Sequence, residues 1–142
     1  MVKFLNISVV TPEKKIFDGK ISSLIAPGIE GEFGVLPEHA PFSTMLKPGV
    51  VSYKKEDGSE EMLAVSGGYI EVTGDKIILL VETAEKPEEI DIETVKRRKE
   101  EKEKLLKSKS AKDVDYDLIQ TEFLREISRL KAAEILEKRR RR

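Results

Sequence analysis

Residues 62–81, MLAVSGGYIEVTGDKIILLV, decide the class of fold. They hold three short apolar runs, at 62–65, 69–72 and 77–81, and each run is separated from the next by a break that contains glycine. Short apolar and β-branched runs bounded by such breaks are typical of β-strands, because glycine supplies the backbone angles that turns require. The segment therefore predicts three consecutive strands.

The same pattern continues toward the N-terminus. Leu5, Ile7 and Val9 alternate with other residues, as in a half-buried strand, and Asp57-Gly58 marks a hairpin between 50–53 and 62–65. Strands at this spacing predict an antiparallel β-sandwich or barrel, and we expect a sandwich of about ten short strands.

Two further turns are predicted inside this region. Asp18-Gly19 is expected to form a tight turn before Ile21, and the run 24–26 is expected to be a separate short strand that ends at Pro27-Gly28.

The chain divides near Pro87. Residues 1–87 contain all nine glycines and all six prolines and carry a net charge of −4, whereas residues 88–142 contain neither residue type and carry +3. We therefore expect a sandwich domain at 1–87 and a helical domain at 88–142.

Two helices are predicted in the second part. The first runs from about Asp91, a suitable N-cap, to Leu106, and the second begins near Asp113 or Asp115 after a polar loop at 108–112. An amphipathic stripe follows in the second helix: Ile119, Phe123, Ile127 and Leu130. The centre of the first helix, 96–104, has no apolar residue, so this hairpin must pack on the sandwich or on a partner, and its docking is expected to be marginal.

No catalytic or metal-binding set is recognisable. The chain has no cysteine and a single histidine, His39, so thiolate chemistry is excluded and a metal site is not expected. The glycine-rich stretch 28–34 lacks the Lys-Ser/Thr of a phosphate loop, so it predicts a tight bend or a docking loop. We therefore expect a protein that is not an enzyme.

Charge and hydropathy limit the partners. The formal net charge is −1, and the basic tail 139–142 lacks interleaved aromatic residues, so nucleic-acid binding is not expected and an acidic protein surface is the better match. No apolar run is long enough to span a membrane, and the N-terminus does not resemble a signal peptide. We expect a soluble intracellular protein without direct membrane insertion. From residues alone, an adaptor with a helical arm and a nucleic-acid-binding protein remain alternatives.

The order of motifs is more specific than the composition. The strings GIEGEFGVLPEHAP at 28–41, LKPG at 46–49 and VSGGYIEV at 65–72, preceded by VVTPE at 9–13, closely resemble the epsilon subunit of F-type ATP synthases. The resemblance extends over essentially the whole chain and is to the bacterial type with a C-terminal helical hairpin.

That resemblance implies a non-catalytic subunit of the central rotor stalk. In the family the sandwich binds the gamma subunit and the c-subunit ring, and it couples ion-driven rotation of the ring to ATP synthesis in the catalytic head. Residue by residue, Glu32 corresponds to a position that faces the c ring and His39 to one that faces gamma. The implied location is the cytoplasmic face of the cell membrane, as a peripheral part of the complex.

The resemblance also implies a regulatory hairpin. In the family it folds against the sandwich in a compact state, and in an extended state it reaches the beta (and alpha) subunits and inhibits ATP hydrolysis. The positions that correspond to contacts with beta are Arg125, Arg129 and Lys131.

Some bacterial members bind ATP on the compact hairpin through the motif Ile/Leu-Asp-x-x-Arg-Ala. The matching segment, 90–95, reads IDIETV, so Asp91 is kept while Thr94 and Val95 replace the Arg and Ala. Other positions of that site correspond to Glu85, Arg125 and Arg129. Because the fixed guanidinium is lost, we predict weak or absent ATP binding and no required cofactor. Other interpretations of these residues stay open. Asp91 is then only a helix N-cap, and the two arginines lie on a solvated helix face. Alternatively, the basic run 96–99 partly replaces the lost arginine and ATP still binds.

Overall fold

Nine strands, one short 3-10 helix and two α-helices make up the computed structural model, which describes residues 3–109 and 112–140. Residues 110 and 111 of the predicted loop and residues 141 and 142 of the basic tail lie outside these ranges. The strands are β1 (Leu5–Val10), β2 (Lys15–Gly28), β3 (Gly31–Val35), β4 (Phe42–Leu46), β5 (Gly49–Lys55), β6 (Glu60–Val65), β7 (Gly68–Thr73), β8 (Lys76–Val81) and β9 (Ala84–Glu85). The 3-10 helix spans Pro87–Glu89, and the helices are α1 (Ile92–Ser108) and α2 (Tyr116–Arg140).

The strand order is β1-β8-β7-β4-β2-β5-β6-β9, with β3 paired to β2. The long strand β2 also pairs with β1 through its first half, so the sheet folds back on itself and encloses a core. The predicted fold class, a β-sandwich followed by a helical hairpin, is confirmed.

Three details of the prediction are wrong. The pairing of β1 with β8 is parallel, with Ile7 opposite Ile77, so the sheet is not antiparallel throughout. Asp18-Gly19 forms no turn, since Gly19 lies within β2 opposite Ile7 of β1. A Cβ atom at Gly19 would lie 2.9 Å from Cζ of Phe17, so glycine at this position leaves room for the aromatic ring.

The segment 24–26 is likewise not a separate strand. It continues β2 as far as Gly28, and the reversal comes after it, where Gly31 has a φ of +138°. This reversal places Glu32 at the start of β3, next to the turn.

The sandwich core is formed by inward-facing residues that alternate along the strands. Along β8, for example, Ile77 and Leu79 are buried while Ile78 and Leu80 are exposed, as the two-residue period of a strand requires. The largest side chains that are fully buried are Leu5, Ile7, Ile21, Leu24, Leu63, Ile70, Ile77 and Leu79.

The hairpin is docked on the outside of this sandwich. Helix α2 packs against β5 and β6, and a second apolar cluster forms there from Ala64, Ile90, Val95, Leu130, Ala132 and Ala133. Of the predicted stripe, Ile119 and Leu130 are buried and the other two members are half-buried. The expectation that the hairpin needs a surface to pack on is thus confirmed, and that surface is the sandwich.

The two helices contact each other along their length. Ion pairs join Lys102 to Glu122, and Lys109 to Asp115 at 3.2 Å. Among the described residues, no helix is long and apolar enough to cross a membrane.

Candidate functional site at the junction of hairpin and sandwich

Arg129 of α2 lies at the centre of an ionic cluster at the junction. Its Nε is 2.9 Å from Oε1 of Glu85, and its Nη2 donates to Oε2 of the same residue at 3.0 Å. Its Nη1 donates to Oε2 of Glu126 at 3.0 Å, one turn away on the same helix. Glu85 ends the last strand of the sandwich, so the guanidinium bridges the two parts of the chain.

This cluster is largely shielded from solvent. The side chain of Glu126 is 10% exposed, that of Arg129 16% and that of Glu85 29%. Charge-assisted hydrogen bonds of this kind are stronger than neutral ones, and burial reduces their screening by salt.

Two more arginines of α2 reach glutamates of the sandwich. Arg125, one turn before Arg129, has its Nη2 3.7 Å from Oε2 of Glu82. Near the C-terminal end of α2, Nη2 of Arg139 donates to Oε1 of Glu60 at 2.9 Å. The docked hairpin therefore places three arginines of α2 against acidic side chains of the same chain.

Asp91 acts as the N-cap of α1. Its Oδ1 accepts from the backbone N–H groups of Glu93 and Thr94, and its Oδ2 accepts from the Thr94 hydroxyl at 2.9 Å. The hydrogen bonds from Thr94, first from its side chain and then from its backbone, lower the pKa of Asp91 below its usual value. Of the four residues predicted as nucleotide contacts, the structure joins Glu85 to Arg129 as an ion pair, while Arg125 faces Glu82.

Lys131 and Glu32 line a common cavity of about 270 Å³ between α2 and the sandwich. Its walls also include Pro27, Pro48, Val50, Leu124, Ile127 and Ser128. Both charged residues are exposed. The sequence did not reveal that the docked helix borders the loop predicted to face the c ring.

His39 lies in the loop between β3 and β4. Its Nδ1 is 2.6 Å from the carbonyl oxygen of Ala40, and its ring centroid is 6.0 Å from that of Phe42. The preceding residue, Glu38, has a φ of 71° and pairs with Lys3.

An exposed apolar surface, which the sequence analysis did not single out, lies on the outer side of β4 and β8. Met45 is 55% exposed, Leu80 45% and Ile78 42%. Met45 and Leu80 border a shallow apolar cavity of about 440 Å³ together with Val10, Pro12 and Tyr69. An exposed apolar area of this kind is typical of a protein–protein contact.

Metal ligands are not clustered in the part of the chain that the structure describes. Within residues 3–109 and 112–140, no three His, Asp or Glu side chains are placed to hold a metal ion.

Comparison with known proteins agrees with the fold. A family model described as the beta-sandwich domain of the ATP synthase Delta/Epsilon chain matches residues 4–87. The ATP synthase epsilon chain of Moorella thermoacetica is 42% identical over 129 residues, which are 91% of this chain and 96% of that relative. The epsilon chain of Geotalea daltonii is 43% identical over 133 residues, which are 94% of this chain and 96% of that one.

Solved structures show the same architecture. One similar chain belongs to the cryo-EM structure of the Euglena gracilis mitochondrial ATP synthase, an assembly of OSCP, F1 and c-ring. It superposes with a TM-score of 0.77 at 24% sequence identity. The superposition covers 93% of this chain and 81% of that one. A chain of the Tetrahymena thermophila central stalk and c-ring has a TM-score of 0.52 at 18% identity, over 61% of this chain and 69% of its own. At these identities the superpositions support the fold alone. Because the sequence matches cover nearly the whole chain, however, this protein belongs to the family of ATP synthase epsilon chains.

Proposed function

We propose that this chain is the epsilon subunit of the central rotor stalk of an F-type ATP synthase and is not catalytic by itself. The observation that carries the proposal is the match of 42% identity over 91% of the chain to an ATP synthase epsilon chain. We place it peripherally on the cytoplasmic face of the cell membrane, as part of the complex.

Residues 1–87 are proposed to couple rotation of the c ring to ATP synthesis by binding the gamma subunit and the ring. Two exposed features support this role. Glu32 is exposed beside the β2–β3 turn, where it can contact the ring, and the apolar surface around Met45 and Leu80 offers area for gamma. His39, in the loop before β4, is the further residue proposed to face gamma.

Residues 88–142 are proposed to inhibit ATP hydrolysis when they leave the sandwich and extend to the beta and alpha subunits. Arg125, Arg129 and Lys131 are then the contacts with beta. The docked state rests on a small apolar cluster, three of whose six buried members are alanines, and on ion pairs. We propose that this contact differs little in free energy from an alternative packing, as a two-state switch requires.

ATP is proposed to bind weakly or not at all. The hydroxyl of Thr94, which stands where the family motif has arginine, completes the cap on Asp91, and Val95 is fully buried. The guanidinium that could meet a phosphate, Arg129, already faces two carboxylates.

The test is ATP hydrolysis by the matching alpha–beta–gamma complex with no addition, with the full chain, and with a truncation that ends at Pro87. We expect both forms to bind and only the full chain to inhibit. If both bind and neither inhibits, the inhibitory role is wrong and the coupling role remains. If neither binds, the assignment to this stalk is wrong.

A further inference from the structure

We infer that Glu85 and Glu126 are internal anionic ligands of Arg129 and that this three-residue cluster, the arginine latch, keeps the hairpin docked without a bound nucleotide. The inference deepens the proposed function, on which it rests, because it names what regulates the position of the hairpin.

The guanidinium of Arg129 contacts both carboxylates of the latch. Nε and Nη2 face the two oxygens of Glu85 at 2.9 and 3.0 Å, and Nη1 faces those of Glu126 at 3.0 and 3.3 Å. Arginine carries its five N–H donors in a fixed fork that suits paired contact with a carboxylate. Nη1 and Nη2 of Arg129 are therefore hydrogen-bonded within the chain, whereas the buried Nε lies close to Glu85 without a hydrogen-bond partner in the described structure.

Burial of Glu126 supports the same conclusion. The residue is only 7% exposed, and acidic residues are rarely buried without a partner that compensates for lost hydration. Arg129 is that partner in the described structure. A buried glutamate on the helix face that meets the sandwich is therefore explained by its contact with the guanidinium.

Electrostatics make the latch a poor receptor for polyphosphates. Two carboxylates already contact Arg129, and a third, Glu82, lies 3.7 Å from the guanidinium of neighbouring Arg125. An approaching triphosphate would be repelled by these acids and would have to displace at least one of them. The cluster thus favours internal closure over an anionic ligand.

The two glutamates have different roles. Glu85 belongs to the sandwich, so its contact with Arg129 is lost when the hairpin undocks. Glu126 lies three residues before Arg129 on the same helix, so the contact between these two residues is retained when the hairpin undocks. Glu126 is therefore a positioning residue that holds the guanidinium toward Glu85.

The experiment measures the distance between hairpin and sandwich in the full chain. Because the protein has no cysteine, the pair Glu13→Cys and Glu137→Cys places spin labels at two exposed positions, and pulsed electron resonance reports their separation. We expect one narrow distance in the absence of nucleotide. Glu85→Gln and Arg129→Lys should each lower the ratio of docked to undocked chains by roughly tenfold or more, because each disrupts the ion pair and the hydrogen bond between Arg129 and Glu85.

Two comparisons sharpen this result. Glu126→Gln is expected to lower the ratio less than Glu85→Gln, since the contact between the sandwich and Arg129 survives. Glu122→Gln is the matched control, because Glu122 pairs with Lys102 inside the hairpin and its loss should leave the distance unchanged. Amide spectra of the strands check that the sandwich stays folded in every variant.

The inference is overturned if the unmodified hairpin docks only when ATP is added, or if both Glu85→Gln and Arg129→Lys dock as the unmodified chain does. Hydrolysis assays with the Glu85→Gln variant distinguish failure of the latch from failure of the proposed inhibitory function. If the distance changes but no full-length form inhibits, the latch stands and the inhibitory role fails. An unchanged distance removes the latch even where the full chain inhibits.

Discussion

The hydroxyl of Thr94 donates a hydrogen bond to Oδ2 of Asp91 at 2.9 Å, while Oδ1 of the same carboxylate accepts from the backbone N–H of Thr94 at 3.3 Å. The aspartate that resembles part of a nucleotide motif is therefore engaged in starting α1. An arginine at position 94, as in the motif, would remove the hydroxyl contact. Position 94 thus links the loss of the motif to a gain in helix capping.

We predict that Asp91→Ala frays the first turn of α1. Amide exchange at Glu93 and Thr94 should accelerate by about fivefold, because their N–H groups lose the capping acceptor. Hydrogen exchange followed by NMR measures this, and Lys96→Ala, at an exposed position outside the cap, is the control.

The same cap has a defined pH dependence. Since hydrogen bonds from Thr94 lower the folded pKa of Asp91 below its ordinary 3.8, the contribution to stability is complete above that value. It is lost as the pH falls through the folded pKa. Exchange at Thr94 that is equally slow in Asp91→Ala and in the unmodified chain would contradict the prediction.

We predict that Ala132→Leu undocks the hairpin and leaves the sandwich folded. Ala132 is fully buried in the cluster with Ala64 and Leu130, and extra methylene groups in a packed cluster cost about 1–3 kcal/mol. Limited trypsin digestion should then cleave the hairpin faster, while the strands keep their amide spectra. Glu134→Leu adds the same side chain at an exposed position, so accelerated cleavage there too would argue against the packing explanation.

Local sequence patterns were sufficient to predict the fold class. The errors in the prediction concern features that depend on tertiary contacts. Alternation along the strands and the absence of glycine and proline after residue 87 specify a sandwich and a hairpin without tertiary information. The sequence predicts a turn at Gly19 because glycine is common in turns. In the structure, glycine is required there because the ring of Phe17 lies against its Cα, and this contact depends on side-chain packing. The parallel pairing of β1 with β8 joins residues 70 apart in sequence, as for Ile7 and Ile77, and no local pattern reports it.

The site was predictable only in part, for similar reasons. The N-cap role of Asp91 could be derived from its place before a helical segment. Glu126 could not be distinguished from the exposed acids around it, because its burial arises only when α2 docks. Ala132 and Ala133 are small and contribute little to an amphipathic stripe, although they are buried in the cluster that includes Ala64 of the sandwich.

We predict that two adjacent leucines of β8 differ sharply in their effect on stability. Leu79→Ala should lower the free energy of unfolding by about 2–5 kcal/mol, because Leu79 is fully buried and its loss leaves a cavity. Leu80→Ala should change it by less than about 0.5 kcal/mol, because Leu80 is 45% exposed. Urea denaturation followed by circular dichroism measures both. Equal losses would mean that the two faces of β8 are not divided between core and solvent.

We predict that the protein loses stability at alkaline pH because of the raised pKa of Tyr53. Burial, and then the charge of Glu61 directly opposite on β6, raise its pKa from 10.0 to about 12. Above pH 10 the unfolded chain loses the phenolic proton first, so the free energy of unfolding falls as the pH rises. This residue alone should contribute a decline of about 1 kcal/mol per pH unit between pH 10 and 12.

Tyr53→Phe keeps the ring that lies 5.1 Å from that of Phe17 and removes the ionisable group. We therefore expect denaturation curves at a series of alkaline pH values to show a shallower decline for this variant than for the unmodified chain. If Tyr53→Phe declines as steeply as the unmodified chain, the phenol of Tyr53 ionises at the same pH in the folded and unfolded states. Its environment between β2 and β6 would then be more hydrated than its 4% exposure indicates.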